Sequence, residues 1–474
     1  MTTTHDSPTA RPEQVKKTGP VIDDWRPEDP EFWERCGKRV ATRNLWISIP
    51  ALLLAFAVWM VWSTVIVRLN AIGFNFGTDQ LFWLTALPAL SGATFRVFYS
   101  FMVPVFGGRR WTAISTASLL IPAIWMGIAV QNPETPYSVF VLIALLCGFG
   151  GGNFASSMSN ISFFYPKSQQ GTALGLNAGL GNLGVSVMQF SVPLVIGCSL
   201  FGGIAGAPQE LNDGTQLWLQ NAGYLWVPLI AVVTLAAWFG MNDLSSAKAS
   251  FKEQSIIFKR KHNWIMCWLY LATFGSFIGF AAAFPMLIKT SFPEVNALQF
   301  AFLGPFVGAL VRPLGGWVSD RLGGARVTFW NFVLMIAAIF GVLHFLPQEN
   351  SPGSFYGFLA MFMLLFVTTG IGNGSTFRMI PVIFRTLHQR WCAGKSEAEQ
   401  ALAMQEAGKE SAAVIGFTSA VGAFGGFFIP IAFATSMAES GRPEVAMYIF
   451  ISYYLSCIAV TWWWYSRKGA QTPC

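Results

Sequence analysis

Arg96 and Arg312 each sit near the middle of a long apolar run, where a charge is least expected. Each lies 11 residues before a glycine pair, Gly107-Gly108 and Gly323-Gly324, and 14 residues before a further arginine, Arg110 and Arg326. Two parts of the chain thus carry the same cation at the same place. At 1.5 Å per helical residue, that spacing puts each charge roughly 16 Å from its turn, near the middle of a bilayer core of about 30 Å. An arginine at that depth costs about 2.5–3.5 kcal/mol on insertion scales. A membrane carboxylate is the ordinary offset. The only acidic residues that the sequence places near the spans are Asp79 and Asp320, both at helix ends. Backbone carbonyls can compensate a guanidinium in part. A small anion held between the two arginines compensates both, and arginine's planar fork suits a planar oxyanion.

Arg378 is a third intramembrane arginine, within GNGSTFRMIP (372–381). It lies 6–7 residues from the end of its span at Phe384-Arg385, close enough to snorkel or to sit in an inner vestibule. It is expected to stay clear of an occluded anion. No Asp, Glu or His is expected at the depth of Arg96. Arginine does not deprotonate, so this site offers no proton carrier. Two unneutralised charges are costly to move through the membrane barrier when the site is empty. That favours obligatory exchange of one anion for another over uniport or proton symport.

Other chemistries find little support. The seven cysteines (Cys36, Cys147, Cys198, Cys267, Cys392, Cys457, Cys474) are scattered, with no CxxC pair and no metal spacing. The four histidines are dispersed, and His262 and His388 fall at expected helix ends or loops. No nucleophile–base constellation or paired carboxylates occur in the apolar part, so an enzyme is not expected, nor a cofactor or a metal. The tails are short for a sensor's output domain.

The elements that must position these arginines are membrane helices. The chain has 474 residues, 53% hydrophobic and 11% charged, with 19 Trp and 43 Phe. That composition excludes a soluble globule. The polar start of the chain carries no secretory signal. Twelve spans are expected, at about 44–68, 80–106, 111–131, 137–164, 169–198, 222–242, 263–288, 296–318, 327–346, 355–384, 408–437 and 444–466, each near the roughly 20 residues that cross a bilayer. The net charge of +7 is a topology signal rather than a nucleic-acid footprint. All but six of the 30 Lys and Arg fall in, or at the span edges beside, the two tails and the even-numbered connections; Arg68, Lys289 and Arg442 fall at the other face, and Arg96, Arg312 and Arg378 well inside spans. The positive-inside rule then puts both termini in the cytoplasm.

The fold class expected is an all-α membrane protein of twelve helices in two pseudo-symmetric six-helix bundles. The chain divides into a tail (1–43), a first bundle (44–242), a basic linker (243–262, with Lys248, Lys252, Lys259, Arg260 and Lys261), a second bundle (263–466) and a tail (467–474). The halves repeat. Gly175, Gly181 and Gly184 of span 5 match Gly416, Gly422 and Gly425 of span 11, each pair 241 residues apart. Gly152-Asn153 of span 4 matches Gly372-Asn373 of span 10. Glycines at three- and four-residue steps line one helix face and let backbones approach closely. They serve either static packing or smooth contacts on which two halves rock. SDRLGGARV (319–327), with Asp320 and Arg321, resembles the loop signature of the major facilitator superfamily that follows helices 2 and 8. Asp320 and Arg321 fit a cytoplasmic latch. The first copy, FMVPVFGGRR (101–110), lacks the acidic position.

Nearly the whole chain, from about Val21 to Arg467, resembles the nitrate/nitrite porters of that superfamily, in particular the bacterial NarK-type exchangers. The most specific stretches are VIDDWRPEDPEFW (21–33), RNLWISIPALLLAF (43–56), TALPALSGATFRVFYSFMVPVFGGRRW (85–111), GLNAGLGNLGVSVMQ (175–189) and GFTSAVGAFGGFFIP (416–430). The resemblance implies the major facilitator fold and anion binding by Arg96 and Arg312. It also implies hydrogen bonds from Asn182 and Tyr270, and aromatic walls from Phe154 and Phe274. It implies exchange of external nitrate for internal nitrite by alternating access, in a bacterial inner membrane, without a cofactor. The expected partners are nitrate, nitrite and the lipid bilayer, and the expected functional unit is a monomer. Nitrate/proton symport is the alternative, and a small-anion channel a more distant one.

Overall fold

A bilayer core offers no water to backbone N–H and C=O groups, so apolar runs of this length close their hydrogen bonds internally, as helices. The computed structural model describes residues 17–18, 20–211, 214–247, 255–348 and 351–474. Among these are twelve helices long and apolar enough to cross a membrane: α1 (Pro30–Ile72), α2 (Thr78–Tyr99), α3 (Gly108–Ala129), α4 (Tyr137–Phe164), α5 (Lys167–Val195), α6 (Asn221–Gly240), α7 (Lys261–Ser291), α8 (Ala297–Leu322), α9 (Gly324–Phe345), α10 (Phe355–Trp391), α11 (Glu397–Ser440) and α12 (Glu444–Ser466). They form two pseudo-symmetric six-helix bundles, and the chain is a multi-pass membrane protein. Both described ends of the chain lie at one end of the bundle, the basal end, with the α2–α3, α4–α5, α6–α7, α8–α9 and α10–α11 turns. The other end is distal. Lys248 and Lys252 of the expected linker, and residues 1–16, lie outside the described residues.

Several helices outrun the apolar windows. Helix α1 begins at Pro30, where Asp29 caps the backbone N–H groups of Glu31 and Phe32. Helix α10 runs on to Trp391, and α11 begins at Glu397 on a capping box between Ser396 and Glu399. Hydropathy marks the part of a helix in lipid; capping and polar helix formers extend it beyond. Helix α2 stops earlier than expected, at Tyr99, and a short separate helix follows at Met102–Phe106.

Chain segments outside the spans are folded against both ends of the bundle. Strands β1 (Lys17–Thr18) and β2 (Val21–Ile22) pair antiparallel; a second pair, β3 (Gln209–Glu210) and β4 (Gln216–Leu217), lies between α5 and α6. Strand β2 also pairs in parallel with β5 (Asp243–Leu244), just after α6. Ile22, Trp25, Phe32 and Trp33 pack with Phe164 and Leu244 in a small core. The Trp25 indole donates to the Phe163 carbonyl at 3.1 Å, and Glu28 accepts from the Lys167 backbone N–H at 3.0 Å, capping α5. The VIDDWRPEDPEFW stretch is thus a strap over the ends of α4, α5 and α6.

The α2–α3 turn lacks an acid in its own sequence, yet it has one in space. Asp243 accepts from the Arg109 backbone N–H at 2.8 Å and from its Nε at 3.3 Å, with Arg110 Nε at 3.8 Å. Gly107 and Gly323 adopt nearly the same positive φ, 88° and 89°, a region glycine enters freely. In the second half the Ala325 N–H donates to the Cys474 carbonyl at 2.9 Å. In each half, then, the segment after the last helix caps the glycine turn. Arg109 and Asp243 are both 6% exposed. Asp243→Ala leaves a buried guanidinium without its carboxylate, a change of about 3–5 kcal/mol. The melting temperature of the detergent-solubilised protein is expected to fall by several degrees; an unchanged value would show the pair to be structurally idle.

The halves meet through α1 with α7, α5 with α8, and α2 with α11. Among the described residues, the hydrogen bonds that join them lie at the level of Arg96 or distal to it. Arg68 donates to the Asn296 side-chain oxygen at 3.4 Å, Gln189 to the Ala281 carbonyl at 2.8 Å, and Lys289 to the Val67 carbonyl at 2.5 Å. Phe190 and Phe302 add an edge contact at 5.1 Å. On the basal side, a Cβ built on Gly171, Gly175 or Gly179 of α5, or on Gly408 or Gly416 of α11, meets nothing within 4 Å. The interface is sealed distally and open basally.

Candidate functional site

Arg96 comes from α2 and Arg312 from α8, and their side chains are almost fully buried, at 1% and 9% exposure for the residues. Arg96 Nε donates to the Gly151 carbonyl of α4 at 2.9 Å, and its Nη1 to the Ser419 carbonyl of α11 at 2.8 Å. Arg312 Nη2 donates to the Tyr270 hydroxyl of α7 at 3.3 Å. Neither arginine has a carboxylate partner among the described residues. Arg96 Nη2 and Arg312 Nη1 have no hydrogen-bond partner among the described residues. Backbone carbonyls therefore satisfy Arg96 in part. Arg96 thus presents one free nitrogen, whereas Arg312 is held by Nη2 alone.

Aromatic rings surround these nitrogens. The Arg96 guanidinium carbon lies 4.7 Å from the Phe154 ring centre, 5.2 Å from Trp59 and 5.3 Å from Phe274. Arg312 lies 5.0 Å from Phe377. Phe154 of α4 and Phe274 of α7 face one another across the halves at 6.4 Å and 29°. Tyr270 stacks on Phe274 at 5.3 Å and 11°. Cation–π contacts ease burial of a guanidinium but do not replace a counter-ion. Both guanidinium groups are buried, so each charge acts at a lower dielectric than in water.

The structure thus brings Arg96, Arg312, Tyr270, Phe154 and Phe274 together. Asn182 of α5 is fully buried, and both its amide atoms lack a partner; it makes no hydrogen bond to either arginine. An unsatisfied buried polar group costs about 1–3 kcal/mol, more when charged. Unpartnered donors on α2, α5 and α8 are the pattern left by a site shaped for something with acceptors.

Sequence reasoning missed Trp59, Phe377 and the carbonyls of Gly151 and Ser419. A carbonyl leaves no mark in a sequence. The glycine run 148–152 was a usable signal: a Cβ on Gly151 would meet the Gly92 Cα at 2.7 Å, so the run lets α4 press against α2. Gly181 and Gly184 pack on Leu52 and the Leu53 carbonyl of α1; Gly422 and Gly425 pack on Tyr270 and Gly275 of α7. Gly175 and Gly416 instead face open space. The matched glycines so serve two different purposes.

Asp320 pairs with Arg378 of α10, both about half exposed, while Arg321 lies over Trp317 at 4.0 Å. One expectation needs correction. Asp79 and Asp320 are not the only acids near the spans. Asp243 and Glu410 are buried, and Glu410 falls inside the expected span 11. Its partners are Arg260 and His388, not the central arginines. An exposed ion pair such as Arg378–Asp320 contributes about 0–1 kcal/mol. Arg378→Gln is therefore expected to leave anion affinity within a few-fold in a binding titration. Complete loss would place Arg378 in the site.

Helices in two mirrored bundles, with a buried cationic site between them and an opening at one end, define a membrane transporter. The family model of the Major Facilitator Superfamily matches residues 47–389. The chain is 60% identical over 453 residues to the nitrate/nitrite transporter NarU of Salmonella typhimurium, covering 94% of this chain and 96% of that one. It is 41% identical over 465 residues to the probable nitrate/nitrite antiporter NarK2 of Thermus thermophilus, covering 96% and 99%. A solved bacterial homologue of the human lysosomal transporter Spinster, inward-facing and occupied, aligns with a TM-score of 0.58 at 14% identity, over 90% of this chain and 96% of that one, a likeness of fold. The chain belongs to the major facilitator superfamily, within its NarK-type nitrate/nitrite porter family.

Proposed function

We propose that this protein exchanges external nitrate for internal nitrite across a bacterial cytoplasmic membrane by alternating access. The observation that carries the reading is the pair of unpartnered nitrogens, Arg96 Nη2 and Arg312 Nη1, in a buried aromatic enclosure without a carboxylate beside them. A planar monoanion supplies an acceptor to each. Phe154 and Phe274, 6.4 Å apart, bound a space suited to a flat, weakly hydrated ion. Asn182 is assigned to a further oxygen. The relatives named as nitrate/nitrite transporters point to the same ions.

The basal end is read as cytoplasmic, from the distribution of Lys and Arg. The geometry is then that of the inward-open state, with the distal contacts as the closed outer gate. The working unit is proposed to be a monomer. The glycine contacts of α5 with α1 and of α11 with α7 hold the middle of each half rigid. The halves then rock about the bound ion. An empty site carries two positive charges and a loaded one carries a single net charge, so return without an anion is slow. That is the basis of obligatory exchange.

Nitrate/proton symport is the second reading, favoured by the buried Glu410–His388 pair. Nitrate uptake by purified protein in liposomes separates the two. Exchange requires nitrite inside and is not driven by an imposed proton gradient. Gradient-driven uptake into empty liposomes would establish symport instead.

A further inference from the structure

A second buried charged cluster lies at the basal end, apart from the central arginines. Arg260, which precedes α7, grips Glu410 of α11 with two hydrogen bonds, Nε to Oε2 at 3.0 Å and Nη2 to Oε1 at 2.7 Å. The Arg260 guanidinium also lies over Trp391 of α10 at 4.4 Å. His388 of α10 sits 3.5 Å from Glu410 through Nε2, and that nitrogen has no hydrogen bond. His388 and Glu410 are 4% and 7% exposed. A cavity of about 260 Å³ opens beside them, and Arg260, His388 and Trp391 line it.

We propose that His388 and Glu410 form a proton-binding site at the basal end, whose occupancy sets how firmly the basal ends of α7, α10 and α11 are tied. Histidine is the side chain whose charge ordinarily changes near neutral pH. A protonated His388 gives the Glu410 carboxylate a second cationic partner beside Arg260. A neutral His388 leaves it with Arg260 alone. The cavity connects the imidazole to the basal surface, so the proton comes from the solution on that side. The other titratable groups around the cavity are Lys395, Glu399, Glu406 and Cys392. Glu399 is occupied by the Ser396 N–H and hydroxyl, at 3.1 and 2.8 Å.

The tie matters because all three helices are irregular between this cluster and their distal ends. Helix α7 has a π turn at Leu271–Gly275, α10 carries Pro381, and α11 breaks its regular run at Phe424. Such features let a helix end swing. A tighter tie holds the three ends in the arrangement seen here, with the basal side open. Protonation therefore slows basal closure.

Two measurements test this. The first is independent of any substrate. Wild-type protein in detergent is expected to gain melting temperature between about pH 8 and about pH 6, relative to His388→Gln. His344→Gln, at an exposed ring, keeps the wild-type pH dependence. Equal melting shifts for wild type and His388→Gln overturn the proton site. The second rests on the exchange reading. Lowering the pH on the basal side over the same range, with the other side fixed, is expected to slow wild-type exchange a few-fold. His388→Gln should keep the faster rate at both. A wild-type slope retained in that variant overturns the link to transport. Failure of exchange at every pH would count against the exchange reading, and the melting comparison would still decide on the proton site.

Discussion

Replacing Arg96 with lysine is expected to lower nitrate affinity roughly 100-fold and to bring transport to background. The reason lies in how the guanidinium is used. Its Nε is held by the Gly151 carbonyl of α4 and its Nη1 by the Ser419 carbonyl of α11, leaving Nη2 free. One side chain thus spans both halves and still offers a donor. A lysine has a single nitrogen at the end of a flexible stem. It can satisfy the carbonyls or an anion, not all three in fixed directions. Hydrogen bonds to charged groups contribute about 1.5–3 kcal/mol each, and a loss near the upper end of that range corresponds to the fold-change given. Calorimetric titration with nitrate reads the affinity, and counterflow reads transport. Lysine binding within three-fold of wild type would mean that charge alone holds the ion, and the directional account would be wrong.

The same substitution at Arg312 provides a comparison. Arg312 has one protein partner, the Tyr270 hydroxyl, and no role in joining the halves. Its lysine variant is expected to lose affinity comparably but to keep the melting temperature of wild type. Arg96→Lys should lose both. The difference separates the part of Arg96 that binds from the part that bridges.

How much of this could be read from the sequence depends on the kind of interaction. The twelve helices were legible because lipid enforces length and apolarity, and Arg96 and Arg312 stood out as charges inside apolar runs. The true helix ends at Trp391 and Glu397 were not, because they rest on caps and polar residues outside lipid. The partners of Arg96 are carbonyls, which every residue carries. Asp243 meets Arg109 across 134 positions, and Glu410 meets Arg260 across 150. No local pattern reports such pairings. His388 read as a histidine at a helix end because helix α10 was taken to stop at residue 384; seven further residues bury it. The glycine repeat was visible, but not that its members split into packed and open positions.

That split yields the other large effect. A Cβ on Gly425 would lie 2.1 Å from the Gly275 Cα, and one on Gly184 would lie 2.1 Å from the Leu53 carbonyl oxygen. Both neighbours are backbone, so no side chain can rotate away. Gly425→Ala must push α11 off α7, and with it the contact of Gly422 with the Tyr270 ring. Overpacking of this sort costs about 1–3 kcal/mol, and the site loses its register as well. Low yield, a lower melting temperature and loss of nitrate binding are expected together. Gly416 and Gly175 behave otherwise. Each has open space before it, so Gly416→Phe or Gly175→Phe should fold, melt near the wild-type temperature and bind nitrate within a few-fold. Yet alternating access requires the basal faces of α5 and α11 to come together once per cycle. A phenylalanine there props them apart, and exchange should fall to near background while binding survives. Wild-type counterflow in Gly416→Phe would show that these faces never close on one another. The opening would then be a fixed vestibule rather than one half of a cycle.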